Sequence, residues 1–183
     1  MTSPQTDHVT DKTPGRPVIE AVVPAWNRPG DLEALLGDFG RLDTSTCDLR
    51  VLIVDNGSDI PLASVPAVRE CAERSGQRIT FHQLATNRGG SGGFNAGIEQ
   101  ALNRSDPDFV WLVDSDVRLD PPVLTHLLNA IQNDESVVAV GPAIMDPQTG
   151  EVFECGGRID RKTARLRACL LYTSDAADEH RDV

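Results

Sequence analysis

Four cysteines in 183 residues, Cys47, Cys71, Cys155 and Cys169, form no CxxC pair and have no histidine partner in a recognisable pattern. Reduced thiols in a cytoplasmic protein are the expected state, and a cysteine nucleophile is not supported. His82 and His126 also lack a second His or Cys at ligand spacing, so structural roles are expected for both. No run of about 18 apolar residues occurs, so no transmembrane helix is expected. The opening MTSPQTDHVTDKTPGRP has no apolar stretch and is not expected to act as a signal peptide. Basic residues are scarce, 17 Lys and Arg against 28 Asp and Glu, a formal charge of −11. Nucleic acid and anionic membrane would be repelled as main partners, although a local metal or backbone N–H groups can still favour an anion. Two nucleotide signatures are missing as well. The glycine-rich NRGGSGGFNAG lacks a GK[ST] ending, and counting G-x-G-x-x-G from Gly90 puts Asn95 at the sixth position.

What remains is an ordinary soluble composition, 39% hydrophobic and 25% charged, in a chain long enough for one domain. Residues 1–16 read as a polar, mobile tail. From Val18 short β-branched runs alternate with helical patterns. Strands are expected at VIEAVV (18–23), VLIV (51–54), ITFHQL (79–84), FVWLV (109–113) and VVAV (137–140). Helices are expected from Asp31 through Leu32, Leu35, Leu36 and Phe39, weakly within 62–75, and through Phe94, Ile98, Ala101 and Leu102. Another should start at Asp120-Pro121-Pro122 and continue with Val123, Leu124, Leu127, Leu128 and Ile131 inward. Apolar strands alternating with helices indicate an α/β domain with a mainly parallel sheet.

In such a sheet, ligands bind beyond the carboxyl ends of the strands. The segments expected there are PAWNRPGD (24–31), DNGSD (55–59), ATNRGGSGGFNAG (85–97) and DSDVRLD (114–120). Asp114 and Asp116, if extended, would point the same way about 7 Å apart and repel each other unless a cation intervened. Oxygen-only ligation suits Mg²⁺ or Mn²⁺, with further oxygens from water and a substrate phosphate. The other reading of a bare DxD is a solvated turn with an Asp helix cap; the three polar loops in line with it favour the metal. The glycine-rich segment allows close backbone approach to a ligand, and the following helix could face an anion. Trp111 reads as core, whereas Trp26, at a strand exit, suits either base stacking or packing.

Together, VVPAWNRP, VLIVDNGSD, NRGGSGGFNAG and VWLVDSDV resemble, in the same order, the donor half of family 2 glycosyltransferases of GT-A fold. The resemblance covers about Pro17 to Asp160, and GGSGGF is most similar to the galactofuranosyl- and rhamnosyltransferase branch. It implies a nucleotide-diphospho-sugar-binding α/β sandwich, truncated at the C-terminus, that serves inverting sugar transfer in cell-envelope polysaccharide synthesis. Asp55 would accept from a uracil or thymine ring, while Pro24, Ala25 and Asn27 would line base and ribose. Asn87, Arg88, Gly89, Gly90, Gly92 and Gly93 would wrap the ribose and diphosphate, with Asn95 nearby. Asp114 and Asp116 would be the family's DxD, Asp116 the more direct metal ligand; many members carry a third acid where this chain has Ser115. The implied partners are a UDP- or dTDP-linked sugar and a glycan or lipid-linked acceptor, at a cytoplasmic location that leaves peripheral membrane attachment of the full-length protein open. The catalytic base is unassigned, since Asp146, Glu151 and Glu154 are acidic and late enough to consider but none is convincing. A non-catalytic nucleotide-sugar-binding remnant stands as the alternative, and a nucleotidyltransferase is weaker because strand one lacks a basic glycine-rich loop after it.

The donor domain is thus expected at 17–167. The stretch CLLYTSDAADE, Cys169 to Glu179, resembles a translated transposase sequencing adapter, so 168–183 is expected to be a non-native tail.

Overall fold

The computed structural model describes residues 15–133, 136–154, 156–160, 162–163 and 165–168. The chain divides into two compact units between Thr125 and His126. Everything that bears on the candidate site lies in the first.

Its centre is a four-stranded sheet in the order β3-β2-β1-β4. Strands β1 (Val18–Ala25) and β2 (Asp48–Asp55) pair in parallel from Val18↔Asp48 to Ala25↔Asp55. Strand β3 (Arg78–Gln83) adds in parallel to β2, and β4 (Phe109–Leu112) to β1 through Ile19↔Phe109. Val22, Val23, Val51, Leu52, Ile53 and Val54 are fully buried. Apolar, β-branched residues on both faces are what a strand needs when helices cover both sides of its sheet.

Helix α1 (Pro29–Phe39) begins with Pro29, whose missing N–H costs nothing in a first turn, and carries Asp31 where the macrodipole favours an acid. It therefore starts two residues ahead of the expected Asp31. Leu32, Leu35, Leu36 and Phe39 are each fully buried, at the i, i+3, i+4, i+7 spacing of one helical stripe. Burial of that size stabilises by about 1.5–3 kcal/mol per side chain. Phe39 meets Trp111 edge-on at 5.9 Å between ring centroids, so Trp111, half-buried, packs against the core from its edge. The weak helical region resolves into a 3-10 turn at Leu62–Ser64 and α2 (Pro66–Arg74).

Helix α3 (Gly89–Ser105) corrects one expectation: the glycine-rich stretch is its first turns, not a loop before it. Gly97 shows why glycine is required there. A Cβ at that position would stand 2.2 Å from Val22 Cγ1 and 2.9 Å from Val54 Cγ2, so the helix lies directly on β1 and β2. Leu102 departs from the expected inward face and is mostly exposed.

Helix α4 (Val123–Gln132) starts after Asp120-Pro121-Pro122, which form the turn ahead of it. The Val123 N–H donates to the Asp120 carbonyl at 3.0 Å, so Asp120 acts here through its backbone and not as a side-chain cap. Leu124 and Leu128 are buried. The second unit contains two antiparallel pairs, β5 (Ile144–Met145) with β6 (Val152–Glu154) and β7 (Gly157–Asp160) with β8 (Arg165–Ala168).

VVAV at 137–140 is not a strand, which is a second correction. It has no ladder partner among the described residues, and Val138 is 92% exposed. An apolar run becomes a strand only where a neighbour accepts its backbone bonds and something covers its faces. Arg16, grouped by composition with the polar tail, donates from its guanidinium to the Thr44 and Cys47 carbonyls. Residues 1–14 and 169–183 lie outside the described residues.

Candidate functional site

All four strands run the same way, so their carboxyl ends open on one rim. β2 and β3 lie on one side of β1 and β4 on the other, which makes the β1/β4 boundary the topological switch point. At such a point the loops leaving neighbouring strands go to opposite faces of the sheet, and α/β proteins commonly hold their ligands there.

Three loops of this rim are stapled together by amides. The first is the β1 exit. Asn27 has a positive φ of 53°, a left-handed conformation that asparagine tolerates better than most residues. Its Oδ1 accepts from the Asp59 N–H and its Nδ2 donates to Asp59 Oδ2, both at 2.9 Å. Its own N–H donates to Ser58 Oγ at 3.0 Å. The second is the β2 exit, where Asn56 is 4% exposed. Asn56 Nδ2 donates to Asn87 Oδ1 at 3.2 Å and to the Gly89 carbonyl at 3.0 Å, and Asn56 Oδ1 accepts from the Arg88 N–H at 2.9 Å. Asn56 thus holds the third loop, the one that feeds α3. Sequence reasoning passed over Asn56 in favour of its neighbour; the signal present was a polar side chain directly after a fully buried strand.

That neighbour, Asp55, is 2% exposed. Its Oδ1 accepts from the Ser58 N–H at 2.9 Å and its Oδ2 from the Leu62 N–H at 2.8 Å. The carboxylate is enclosed, and its two bonds shape the loop from 56 to 62. Ala25 is likewise buried, and its carbonyl accepts from the Asn56 N–H at 2.9 Å, so it lines no open surface. Pro24 faces Gly93, where an added Cβ would come within 2.9 Å of the Pro24 Cβ. Gly93 is therefore a buried packing glycine, and Gly92 is closed off by the Arg88 side chain, 2.5 Å from its would-be Cβ.

The remaining expected residues stay open. Asn87 is exposed and its Oδ1 also accepts from the Gly89 N–H at 2.8 Å. Gly89 and Gly90 have open space where a side chain would be, and Asn95 is exposed. Arg88 is exposed and its guanidinium makes no ion pair among the described residues. The first-turn N–H groups of α3 have no intrahelical acceptors, and the dipole adds partial positive charge at that end. Trp26 is 49% exposed, so packing covers about half of it and leaves the rest open.

Across the switch point stand the two acids. The Val113 N–H donates to the Val22 carbonyl at 3.1 Å, the last backbone bond of the β4 side, and Asp114 follows it. Ser115 and Asp116 then form a turn, which corrects the picture of two carboxylates alternating along extended backbone. Asp114 is exposed and makes no hydrogen bond or ion pair among the described residues. Asp116 Oδ2 lies 3.7 Å from Arg28 Nη1, and the same nitrogen lies 3.3 Å from Asp31 Oδ2. Arg28, at the N-cap of α1, joins the β1 exit to the β4 exit. No group of three His, Cys, Asp or Glu is gathered at metal-binding distance among the described residues. The chemistry of the donor set still fits a hard divalent cation that keeps waters and takes oxygens from a phosphate: one carboxylate is unengaged and the other only loosely paired.

Behind the turn, Asp38 is 1% exposed on the last turn of α1. Arg118 grips it in a two-point contact, Nε to Oδ2 at 2.6 Å and Nη2 to Oδ1 at 2.8 Å, while the Leu119 N–H donates to Oδ2 at 3.1 Å. Arg41 pairs with the same carboxylate. Burial alone would push the Asp38 carboxyl up, but the Arg118 and Leu119 hydrogen bonds and the two guanidinium charges together hold it below its ordinary value. A carboxyl depressed by folding contributes stability that is present above its unfolded pKa, about 3.9, and lost as pH falls through the lower folded value. Urea midpoints measured from pH 6 down to pH 2 should therefore drop below about pH 4, and Asp38→Asn should flatten that drop. An unaltered acid limb in the variant would contradict this. The Cys47 thiol, enclosed and pushed up by burial, is not an activated nucleophile. His82 and His126 gather no further ligand among the described residues.

Comparison with known proteins agrees with this geometry. The sequence pattern described as "Glycosyl transferase family 2" matches residues 20–163. The chain belongs to glycosyl transferase family 2. Among curated relatives of this family 2 chain, the galactofuranosyltransferase GlfT2 of Mycolicibacterium smegmatis is 26% identical over 135 residues, 74% of this chain and 21% of that protein. The galactofuranosyltransferase GlfT1 of the same organism is 34% identical over 102 residues, 54% of this chain and 31% of that protein. The chain therefore spans only 21% of the length of that GlfT2 relative. In fold it is similar to S. aureus TarS 1-349 in complex with UDP, with a TM-score of 0.53 and 23% identity over 64% of this chain and 32% of that one. It is also similar to mannosyltransferase PcManGT from Pyrobaculum calidifontis in complex with GDP-Man and Mn²⁺, with a TM-score of 0.56 and 22% identity over 76% of this chain and 39% of that one. Both likenesses support a GT-A-type fold for the family 2 chain. No helix among the described residues is long and apolar enough to cross a membrane.

Proposed function

We propose that this chain is the donor-binding part of an inverting glycosyltransferase that moves a sugar from a UDP- or dTDP-linked donor to an acceptor hydroxyl in cell-envelope polysaccharide synthesis. The observation that carries the reading is the placement of Asp114 and Asp116 at the β1/β4 switch point, across from Arg28. Solvent-facing acids at that position suit a divalent ion shared with a diphosphate. Asp114 and Asp116 would hold Mg²⁺ or Mn²⁺, and such an ion supplies Lewis-acid stabilisation of a departing diphosphate. The chain's own residues do the rest. Arg88 and the first turn of α3, beginning at Gly89 and Gly90, offer positive charge to phosphate oxygens. Arg28 can exchange its loose contact with Asp116 for the same oxygens. Trp26 offers an aromatic face, and Asn87 and Asn95 offer amides to ribose. The buried amides beneath keep these groups in register before a ligand arrives, which lowers the entropy lost on binding.

The acceptor hydroxyl would attack the anomeric carbon from the face opposite the diphosphate, and a carboxylate base must take its proton. Asp146 is not suited to that task, because its Oδ1 accepts from the Gln148 and Thr149 N–H groups of a turn, at 2.7 and 3.1 Å. The chain spans only 21% of the length of the GlfT2 relative, and none of its described residues is assigned as the base. The chain alone is accordingly expected to bind donor without turning it over.

Calorimetric titration with UDP, with and without Mn²⁺, tests the reading. Binding should require the metal, and Asp116→Ala should weaken it by about tenfold to a hundredfold. UDP binding that ignores both the metal and the substitution would sink the assignment, and no binding at all would favour a non-catalytic remnant.

A further inference from the structure

The seven residues from Asp114 to Asp120 contain no regular structure beyond the Ser115–Asp116 turn. Their near end is tied by the Val113 N–H to the Val22 carbonyl at 3.1 Å. Their far end is tied by the Asp43 N–H to the Pro121 carbonyl at 3.0 Å. Between those points the segment is held to the helical layer by Asp38, which receives both the Arg118 guanidinium and the Leu119 N–H. Arg118 is only two residues beyond Asp116. Helix α1 also meets the segment at its other end, where Arg28 approaches Asp116 at 3.7 Å.

We infer that Asp38 and Arg118 form a clamp that positions the Asp114–Asp116 turn for ligand binding. A planar guanidinium seated on a buried carboxylate fixes direction as well as distance, which a lone ammonium does not. The Asp38 carboxylate is enclosed by the helix, so the clamp is anchored in the core and not on a mobile surface group. Asp38 and Arg118 are positioning residues: neither needs to touch the donor. This inference rests on the donor-site reading, and its test separates the two.

Hydrogen exchange of the 113–120 backbone and Mn²⁺-dependent UDP binding should be measured on the whole chain for Arg118→Gln, Arg118→Lys and Asp38→Asn. Arg118→Gln should speed exchange in 115–119 by about tenfold while β1, β2 and β3 keep their protection. The same variant should weaken Mn²⁺-dependent UDP binding by about fivefold. Arg118→Lys keeps the charge but loses the fork, so it should recover melting temperature without recovering loop protection. Asp38→Asn combined with Arg118→Gln should add little to either alone. Unchanged exchange in Arg118→Gln would overturn the clamp, and a loosened loop with undiminished UDP affinity would overturn its positioning role. A wild-type chain that binds no UDP overturns the donor-site reading before any variant is made, and the exchange experiment still decides whether the clamp holds the turn.

Discussion

Gly57→Ala should destabilise the first unit by about 3 kcal/mol, combining a left-handed backbone penalty of about 1–2 kcal/mol with a steric one of similar size. Gly57 has φ +77°, and its would-be Cβ falls 2.5 Å from the Thr86 carbonyl carbon and 2.7 Å from the Asn87 nitrogen. Those are backbone atoms, so no rotamer change relieves the contact. The β2 exit and the α3 approach would have to separate, taking the Asn56 bonds with them. Gly76 is the internal control: its φ is +70°, yet nothing lies within 4 Å of its would-be Cβ. Gly76→Ala should therefore show the backbone penalty alone, about 1 kcal/mol. Melting temperatures should separate the pair, with Gly57→Ala lower by roughly 4–8 °C. Equal shifts would mean that the close approach of the two loops is not real.

Asn56→Ala should cost about as much, for a different reason. The side chain satisfies the Arg88 N–H, the Gly89 carbonyl and Asn87 Oδ1 from a position 4% exposed. Removing it breaks three part-buried hydrogen bonds, each worth about 0.5–1.5 kcal/mol net, and leaves a cavity at a buried position. Asn56→Asp tests the direction of the bonds. The carboxylate keeps an acceptor for Arg88 but turns acceptor against acceptor at Asn87 and Gly89, and it adds a charge beside the buried Asp55. It should be no better than alanine. Both variants should also weaken UDP binding, since they release the start of α3. Denaturant midpoints matching the wild type in both would show that the network carries no weight.

The sequence made the sheet legible because its strands are buried on both faces. Val51 to Val54 is wholly apolar and Val18 to Val23 is so apart from Glu20, and the parallel order follows once helices separate the strands. Helix α1 was equally plain, since Leu32, Leu35, Leu36 and Phe39 keep one period. VVAV misled because composition records apolar character but not whether a neighbour is present to pair with it. At the rim, the polar residue types were legible, but not the hydrogen-bond partners that each one takes. Asp55 and Asn56 are adjacent and polar, and nothing local says which one turns inward to the 56–62 loop and which one crosses to residue 87. The Asp38–Arg118 contact joins residues 80 apart, and no periodicity or motif marks such a pair. Gly93 and Gly97 were legible as close approaches, and the atoms approached belong to Pro24, Val22 and Val54.

The placement of β1 at the middle of the sheet has a consequence for biosynthesis. One edge of β1 is satisfied by β2, whose pairing begins at Val18↔Asp48, but the other waits for β4, where Ile19 meets Phe109. At about 5–20 residues per second, a ribosome needs several seconds more to deliver that partner. During the interval a valine-rich strand presents unpaired backbone to its surroundings, the condition under which nascent chains aggregate or recruit chaperones.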